Sequence, residues 1–347
     1  MPSSSYVVQL KRPNMTSVAL LRWLSLMAVS MVICMLMAAN FGAMPLSIRT
    51  LWHAPLSDMV WQIWLNIRLP RVLLAVLLGM ALAVSGAVMQ GLFRNPLADP
   101  GLLGISSGAG LAVALAIIVP VALPPILALW LPMLAAFIGS LVVTLLIFSF
   151  SRLALGNLSR LLLVGIAINA LCGAAVGVLS WISNDQQLRQ LALWGMGSLS
   201  SAQWPSLTVC ALLILPTLIA IQTRARRLNL LQLGEEDAHY MGIDVKRTQR
   251  QLLVLSALLV GTAVSVSGII GFVGLVVPHV MRFCLGSDHR WMLPGSALAG
   301  AILLLLADTL ARTVVIPAEM PVGLLTSLIG GPWFLWLILR QQRGINE

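Results

Sequence analysis

Ten times along this chain a long apolar run is closed off by glycine, proline or charge. The runs lie near 16–39, 69–91, 102–120, 126–150, 160–182, 205–222, 251–269, 272–285, 294–313 and 322–340. Roughly 20 apolar residues in a helix cross a bilayer, and hydrocarbon leaves no solvent for unpaired backbone groups. Only 9% of the 347 residues are charged and 59% are hydrophobic, whereas a soluble domain carries about 25% charge. A soluble enzyme, a disordered chain and a collagen-like chain are excluded. The sequence predicts an all-α polytopic membrane protein, a single transmembrane domain over 1–347 with about ten transmembrane helices. The run 272–285 is short for a crossing and is expected to be tilted or broken. A short piece at 188–200 falls between the fifth and sixth runs.

The net charge of +10 would point to nucleic acid in a soluble chain. In a membrane protein it sets orientation instead, and no nucleic-acid partner is expected. With the N-terminus placed in the cytoplasm and Arg22 set aside, inner segments hold 15 Lys and Arg residues and outer segments 5. The inner set runs from Lys11 and Arg12 to Arg340 and Arg343; the outer set is Arg49, Arg68, Arg71, Arg189 and Arg312. The positive-inside rule then places both termini in the cytoplasm, as an even number of crossings requires. The first run is longer than a signal-peptide core and lacks a small-x-small cleavage site, so it is read as a retained span. Arg22 can snorkel from it.

At a fixed offset of 182, residues 79–104 and 261–286 share 8 identities in 26 positions, including Ser85-Gly86 with Ser267-Gly268 and Pro96 with Pro278. This pattern predicts an inverted-topology repeat with halves near 69–200 and 251–340. The alternative is small residues recurring at helix contacts.

Energy must come from outside the chain. There is no GxxxxGK[ST], and the two lysines, Lys11 and Lys246, do not follow glycine. Asp308 is the one acidic residue clearly inside a run, and Arg312 stands four residues on. A self-neutralising pair is the reading preferred over a proton site. Cys34, Cys172, Cys210 and Cys284 show no metal spacing and are read as inert. No catalytic or metal constellation is visible.

Residues 223–250 form the one long charged segment. It reads as two short helices broken at Gly234, the second opened by Glu235, Glu236 and Asp237, where acids suit the helix dipole, and closed at Gly242. Leu230, Leu233, Ala238 and Met241 give it apolar residues outside the membrane, which argues for docking on a soluble partner over a solvated loop.

Several blocks together carry a family resemblance. They are Asn66-Ile67-Arg68-Leu69-Pro70-Arg71; Ser85 to Gln90; Arg94-Asn95-Pro96-Leu97-Ala98-Asp99-Pro100-Gly101; Gly234 to Ala238; Gly271 to His279; Leu305-Leu306-Ala307-Asp308; and Pro321-Val322-Gly323. From about 60 to 340 the chain resembles permease subunits of bacterial ABC importers for ferric siderophores, haem and cobalamin. As a whole it looks most like the haem permeases of Gram-negative bacteria. The resemblance implies a homodimer in the inner membrane, with two ATP-binding cassette subunits that bind ATP and Mg. It also implies a periplasmic substrate-binding protein. This chain itself would hold no cofactor.

The resemblance also implies residue roles. Arg68, Arg71 and Arg312 would receive acidic residues of the binding protein; anchoring at lipid headgroups is the alternative, and for Arg312 an engagement with Asp308. The segment around 228–242 would couple to the ATPase. Asn95, Pro96 and Leu97 with Leu158 and Ser159 would narrow the inner mouth, against a plain helix break there. Trp194, Gly195 and Gly197 would line the pathway with the fifth helix. His279 lies in a general family block and is read as structural rather than as a haem ligand; His53 and His289 are read as surface residues. A stand-alone ion-coupled carrier is the competing class.

Overall fold

The computed structural model describes residues 16–42, 55, 59–119, 124–153, 158–315 and 318–343. The positions of Lys11, Arg12, Arg49 and His53 lie outside the described residues. Every described regular element is helical: α1 (Ser17–Asn40), α2 (Met59–Leu92), α3 (Ile105–Ile118), α4 (Pro125–Leu153), α5 (Leu158–Ile182), α6 (Asp185–Gly195), α7 (Trp204–Gln222), α8 (Ala225–Leu231), α9 (Glu235–Tyr240), α10 (Val245–Ser267), α11 (Val273–Leu285), α12 (His289–Ala311) and α13 (Val322–Arg343). Two short turns complete them, a π-helical one within α2 and a 3-10 turn over Pro100–Leu103.

A helix lies at each of the ten apolar runs, and α6 occupies the extra piece. Among the described residues, 7 helices are long and apolar enough to cross a membrane. Helices α3, α11 and the apolar part of α13 are shorter. The chain is a polytopic helical membrane protein.

The helix starts differ from expectation for local reasons. Helix α2 begins ten residues earlier, at Met59, because a π turn over Trp64–Arg68 precedes Pro70. Leu69 N–H reaches back to the Trp64 carbonyl, so the wider turn absorbs the donor that Pro70 lacks. Helix α10 starts at Val245, where Asp244 caps Arg247 N–H at 2.9 Å. Helix α12 starts at His289 behind the cap Asp288. Helix α3 is delayed to Ile105 by the 3-10 turn capped by Asp99 and by Gly104, whose φ is +80°.

Helix α2 is the axis of the bundle. Of its apolar window 83% is buried, against 6% for α1. It packs against α12, α10, α11, α7 and α1. Two glycine pairs set the closest approaches. A Cβ on Gly79 would overlap the Gly300 carbonyl of α12, and one on Gly300 would overlap the Gly79 carbonyl. A Cβ on Gly86 would overlap the Gly274 carbonyl of α11. Small residues let helices meet this closely where water provides no driving force.

The match at offset 182 parts company halfway. Residues 79–85 and 261–267 are both helical, but Gly86 continues α2 whereas Gly268, at φ +70°, ends α10. Pro96 lies in a turn and Pro278 inside α11.

The glycine contacts make a direct test. Gly79→Leu should cost about 3 kcal/mol or more through overpacking and lower the thermal midpoint of the detergent-solubilised chain. Gly110→Ala, whose new methyl would meet Trp194 at an ordinary 3.5 Å, should leave that midpoint nearly unchanged.

Candidate functional site

Four charged residues close one end of the bundle. Asp308 of α12 is fully buried. Arg71 of α2 grips it in a fork, with Nη2 to Oδ1 at 2.9 Å and Nε to Oδ2 at 3.1 Å. The same guanidinium donates from Nη1 to Glu319 Oε2 at 2.8 Å. Arg312 stands one turn along α12, its Nε 3.4 Å from Asp308 Oδ2. Two guanidinium groups thus face two carboxylates, the arrangement in which burial of charge is tolerated. Arg312 Nη2 also donates to the Ala38 carbonyl at 2.7 Å, and Arg68 Nη1 donates to the Asn40 carbonyl at 2.8 Å. These are the unpaired carbonyls of the α1 C-terminus, where a cation is favoured. The cluster therefore ties α1, α2, α12 and the segment near Glu319 together.

The three arginines expected to receive a binding protein are not exposed side chains in this chain. Arg68, Arg71 and Arg312 are 5%, 7% and 5% exposed. Each is turned inward and engaged, because a buried guanidinium needs acceptors within the protein. The Asp308–Arg312 pair anticipated from the sequence is present, but Arg71 makes the stronger grip on Asp308. Spacing along one helix signals the first contact; nothing local signals the second, which spans 237 residues.

The 223–250 segment forms two helices, α8 and α9, with the break at Gly234 (φ +142°) and Gly242 at φ +82° just past the second. Glu235, Glu236 and Asp237 open α9 and are exposed, as are Leu233 and Met241; Leu230 is half-buried. Ala238 is buried and anchors α9 to the bundle. Glu235 accepts a hydrogen bond from Gln249 Nε2 at 3.0 Å, joining α9 to α10.

Sequence reasoning missed the contact that fastens α8. Asn229 Oδ1 accepts from the His289 backbone N–H at 2.9 Å and lies 2.8 Å from His289 Nδ1, while its amide nitrogen donates to Asp288 Oδ1 at 2.7 Å. The backbone donor fixes the amide orientation, so the His289 ring donates from Nδ1. Burial alone would raise the Asp288 pKa, but bonds from Arg290 and Asn229 prevail and hold it down at about 2. His289 is fully buried, which corrects its reading as a surface residue. A cap residue before α12 was the one available signal, and the charged start of that helix obscured it.

Asn95, Pro96 and Leu97 form the turn that ends α2, with Leu97 N–H donating to Asn95 Oδ1 at 2.9 Å. Leu158 and Ser159 are the first two residues of α5. Trp194 and Gly195 end α6, and Gly195 has open space about it. Gly197 packs closely. A Cβ there would overlap the Ile269 carbonyl, and Gly197 O accepts from Gly323 N–H at 3.2 Å. Ser198 N–H donates to Ser267 O at 2.7 Å. The turn after α6 is therefore sewn to the ends of α10 and α13. His279 is buried, its ring edge-on to Phe283 and Trp333 at 4.9 and 6.1 Å. Among the described residues no cluster of His, Cys, Asp and Glu could hold a metal ion.

The described residues form a bundle of apolar helices with two short helices, α8 and α9, at one end. The model of the FecCD transport family matches residues 29–340, and the chain belongs to that family. It is 66% identical over 319 residues to the hemin transport system permease protein HmuU of Yersinia pestis, covering 92% of this chain and 96% of that protein. It is 41% identical over 324 residues to the vitamin B12 import system permease protein BtuC of Shigella boydii, covering 93% and 96%. A solved structure described as an inward-facing conformation of a metal-chelate type ABC transporter superposes with a TM-score of 0.83 at 33% identity, covering 92% of this chain and 99% of that one. The chain is an ABC-importer permease.

Removing Asp308 tests the buried cluster. Asp308→Ala leaves Arg71 and Arg312 short of a carboxylate and should cost about 3–5 kcal/mol. Arg71→Ala combined with Asp308→Ala should cost less than the two single changes added, a coupling that a double-mutant cycle of thermal midpoints in detergent would read directly.

Proposed function

We propose that this chain is the membrane-spanning subunit of an ATP-driven haem importer of the bacterial inner membrane. It works as a homodimer, with ten crossings per copy and both termini in the cytoplasm. Two separate ATP-binding cassette subunits hydrolyse the ATP, and a soluble periplasmic binding protein delivers the ligand. The 66% identity to a hemin permease over nearly both whole lengths carries the choice of haem. The excess of Lys and Arg in the inner segments supports the orientation.

Coupling is assigned to α8 and α9. Their exposed Glu235, Asp237 and Met241 offer charge and an apolar contact to an ATPase surface. Ala238 and Asn229 tie the same helices back to the bundle. Movement of the ATPase pair would then shift α8 and, through Asn229, the start of α12. The turn at Asn95, Pro96 and Leu97 with Leu158 and Ser159 forms the inner constriction, and Trp194 and Gly195 border the pathway. On the opposite face, the half-exposed Glu319 is the ligand that an incoming carboxylate of the binding protein would replace on Arg71. Such exchange gives register and on-rate more than affinity.

Co-expression with its ATPase subunit in membranes and purification in mild detergent test the reading. A stoichiometric complex should form, with hydrolysis stimulated by the binding protein loaded with haem. Stimulation only by a loaded ferric siderophore or cobalamin would move the substrate within the family; an active chain without an ATPase subunit would overturn the importer reading. In the same system Glu235→Lys and Asp237→Lys should leave membrane insertion intact and reduce uptake at least tenfold for the ATP hydrolysed.

A further inference from the structure

The ends of α7 and α10 beside α8 carry an arrangement that transport does not use. Two clefts of about 350 and 450 Å³ share Arg224, Arg247 and Gln251 in their walls. Arg250 closes the first and Arg227 the second. Arg224 is fixed in place, donating from Nε to Gln251 Oε1 at 3.1 Å and from Nη1 to the Ala220 carbonyl at 2.6 Å. Among the described residues no carboxylate lies within ion-pairing distance of these four arginines. Asp244 lines the second cleft, where its carboxylate is occupied in capping α10.

The floor of the first cleft is apolar. Arg247, Arg250, Gln251, Val254 and Leu255 stand at positions i, i+3, i+4, i+7 and i+8, so they form one stripe of α10. Along that stripe the chemistry passes from guanidinium to amide to hydrocarbon. Seven residues of helix separate Arg247 from Val254, about 10 Å of rise, the step from a lipid headgroup to its acyl chains. Val254 is 42% exposed, and Ile219 on α7 is 65% exposed.

We propose that this cleft binds the phosphodiester head of an anionic phospholipid, with the acyl chains lying on the Val254 and Ile219 faces. Guanidinium forks match phosphate oxygens geometrically, and basic clefts between helices at the membrane surface are suited to such heads. A free phosphate would have no use for the apolar end of the stripe. A protein partner would meet α8 and α9 beyond the helix ends rather than the flank of α10.

Native mass spectrometry of the intact chain, titrated in detergent with dioleoyl phosphatidylglycerol or dioleoyl phosphatidylcholine, tests the site. Phosphatidylglycerol should be retained at least tenfold better. Arg247→Gln should reduce that retention about fivefold, and Arg247→Gln with Arg250→Gln should bring it to the phosphatidylcholine level. Arg226→Gln, on an exposed residue outside both clefts, should change nothing. Unchanged thermal midpoints in detergent would show that the variants are folded. Equal retention of the two lipids, or retention indifferent to the arginines, would overturn the proposal. Displacement of phosphatidylglycerol by millimolar inorganic phosphate would overturn the lipid source in favour of free phosphate. Loss of ATPase-subunit binding in the double variant with lipid retention intact would overturn it in favour of a protein contact.

Discussion

The bundle depends on how closely α2 can be approached. Helix α2 is buried almost throughout Pro70–Leu92, and the backbones of α12 and α11 touch it at Gly79–Gly300 and Gly86–Gly274. No solvent-driven effect pulls helices together inside hydrocarbon, so contact area and close van der Waals fit carry the association. Residues with side chains at these four positions would hold the helices apart and loosen everything packed outside them. Leu74, Leu78, Met89 and Leu304 are fully buried in the same core.

The polar groups serve the same end by different means. Asp308 satisfies Arg71 and Arg312 together, and the arginines in turn satisfy the last carbonyls of α1. That helix makes few buried contacts of its own. It packs along α12, and charge-assisted hydrogen bonds, worth more where water is scarce, fasten its end. Within the cluster Arg71 makes the hydrogen bonds to both carboxylates, Arg312 Nε meets Asp308 only as an ion pair, and the half-exposed Glu319 is the outlet to the surface.

Much of the fold was legible because apolar length and composition dictate helices in a membrane. Each of the ten runs coincides with a helix, and the short pair broken at Gly234 was readable from its acids and glycines. Helix starts were harder. The apolar run 69–91 marks the start of α2 near Leu69, yet a π turn carries the helix back to Met59; α10 and α12 start at the caps Asp244 and Asp288, ahead of the runs, because the residues that follow them are charged. Contacts between distant segments were not legible at all. Arg71 with Asp308 and Asn229 with His289 depend on the tertiary fold, so residues read as rim or surface groups proved buried. The residue match at offset 182 shows the converse, with Gly86 and Gly268 placed in unlike backbone.

Helix α12 deserves to be considered as a single rod. Its first residue is held by Asn229 of α8, and its far end carries Asp308 and Arg312. The 23 residues between His289 and Ala311 span about 34 Å at the rise of an α-helix. Both grips are directional polar contacts rather than sliding apolar ones, so neither end can shift freely along its neighbour. Polar contacts at both ends, Asn229 with His289 and Arg71 with Asp308, thus fix α12 to its neighbours on both sides of its apolar length.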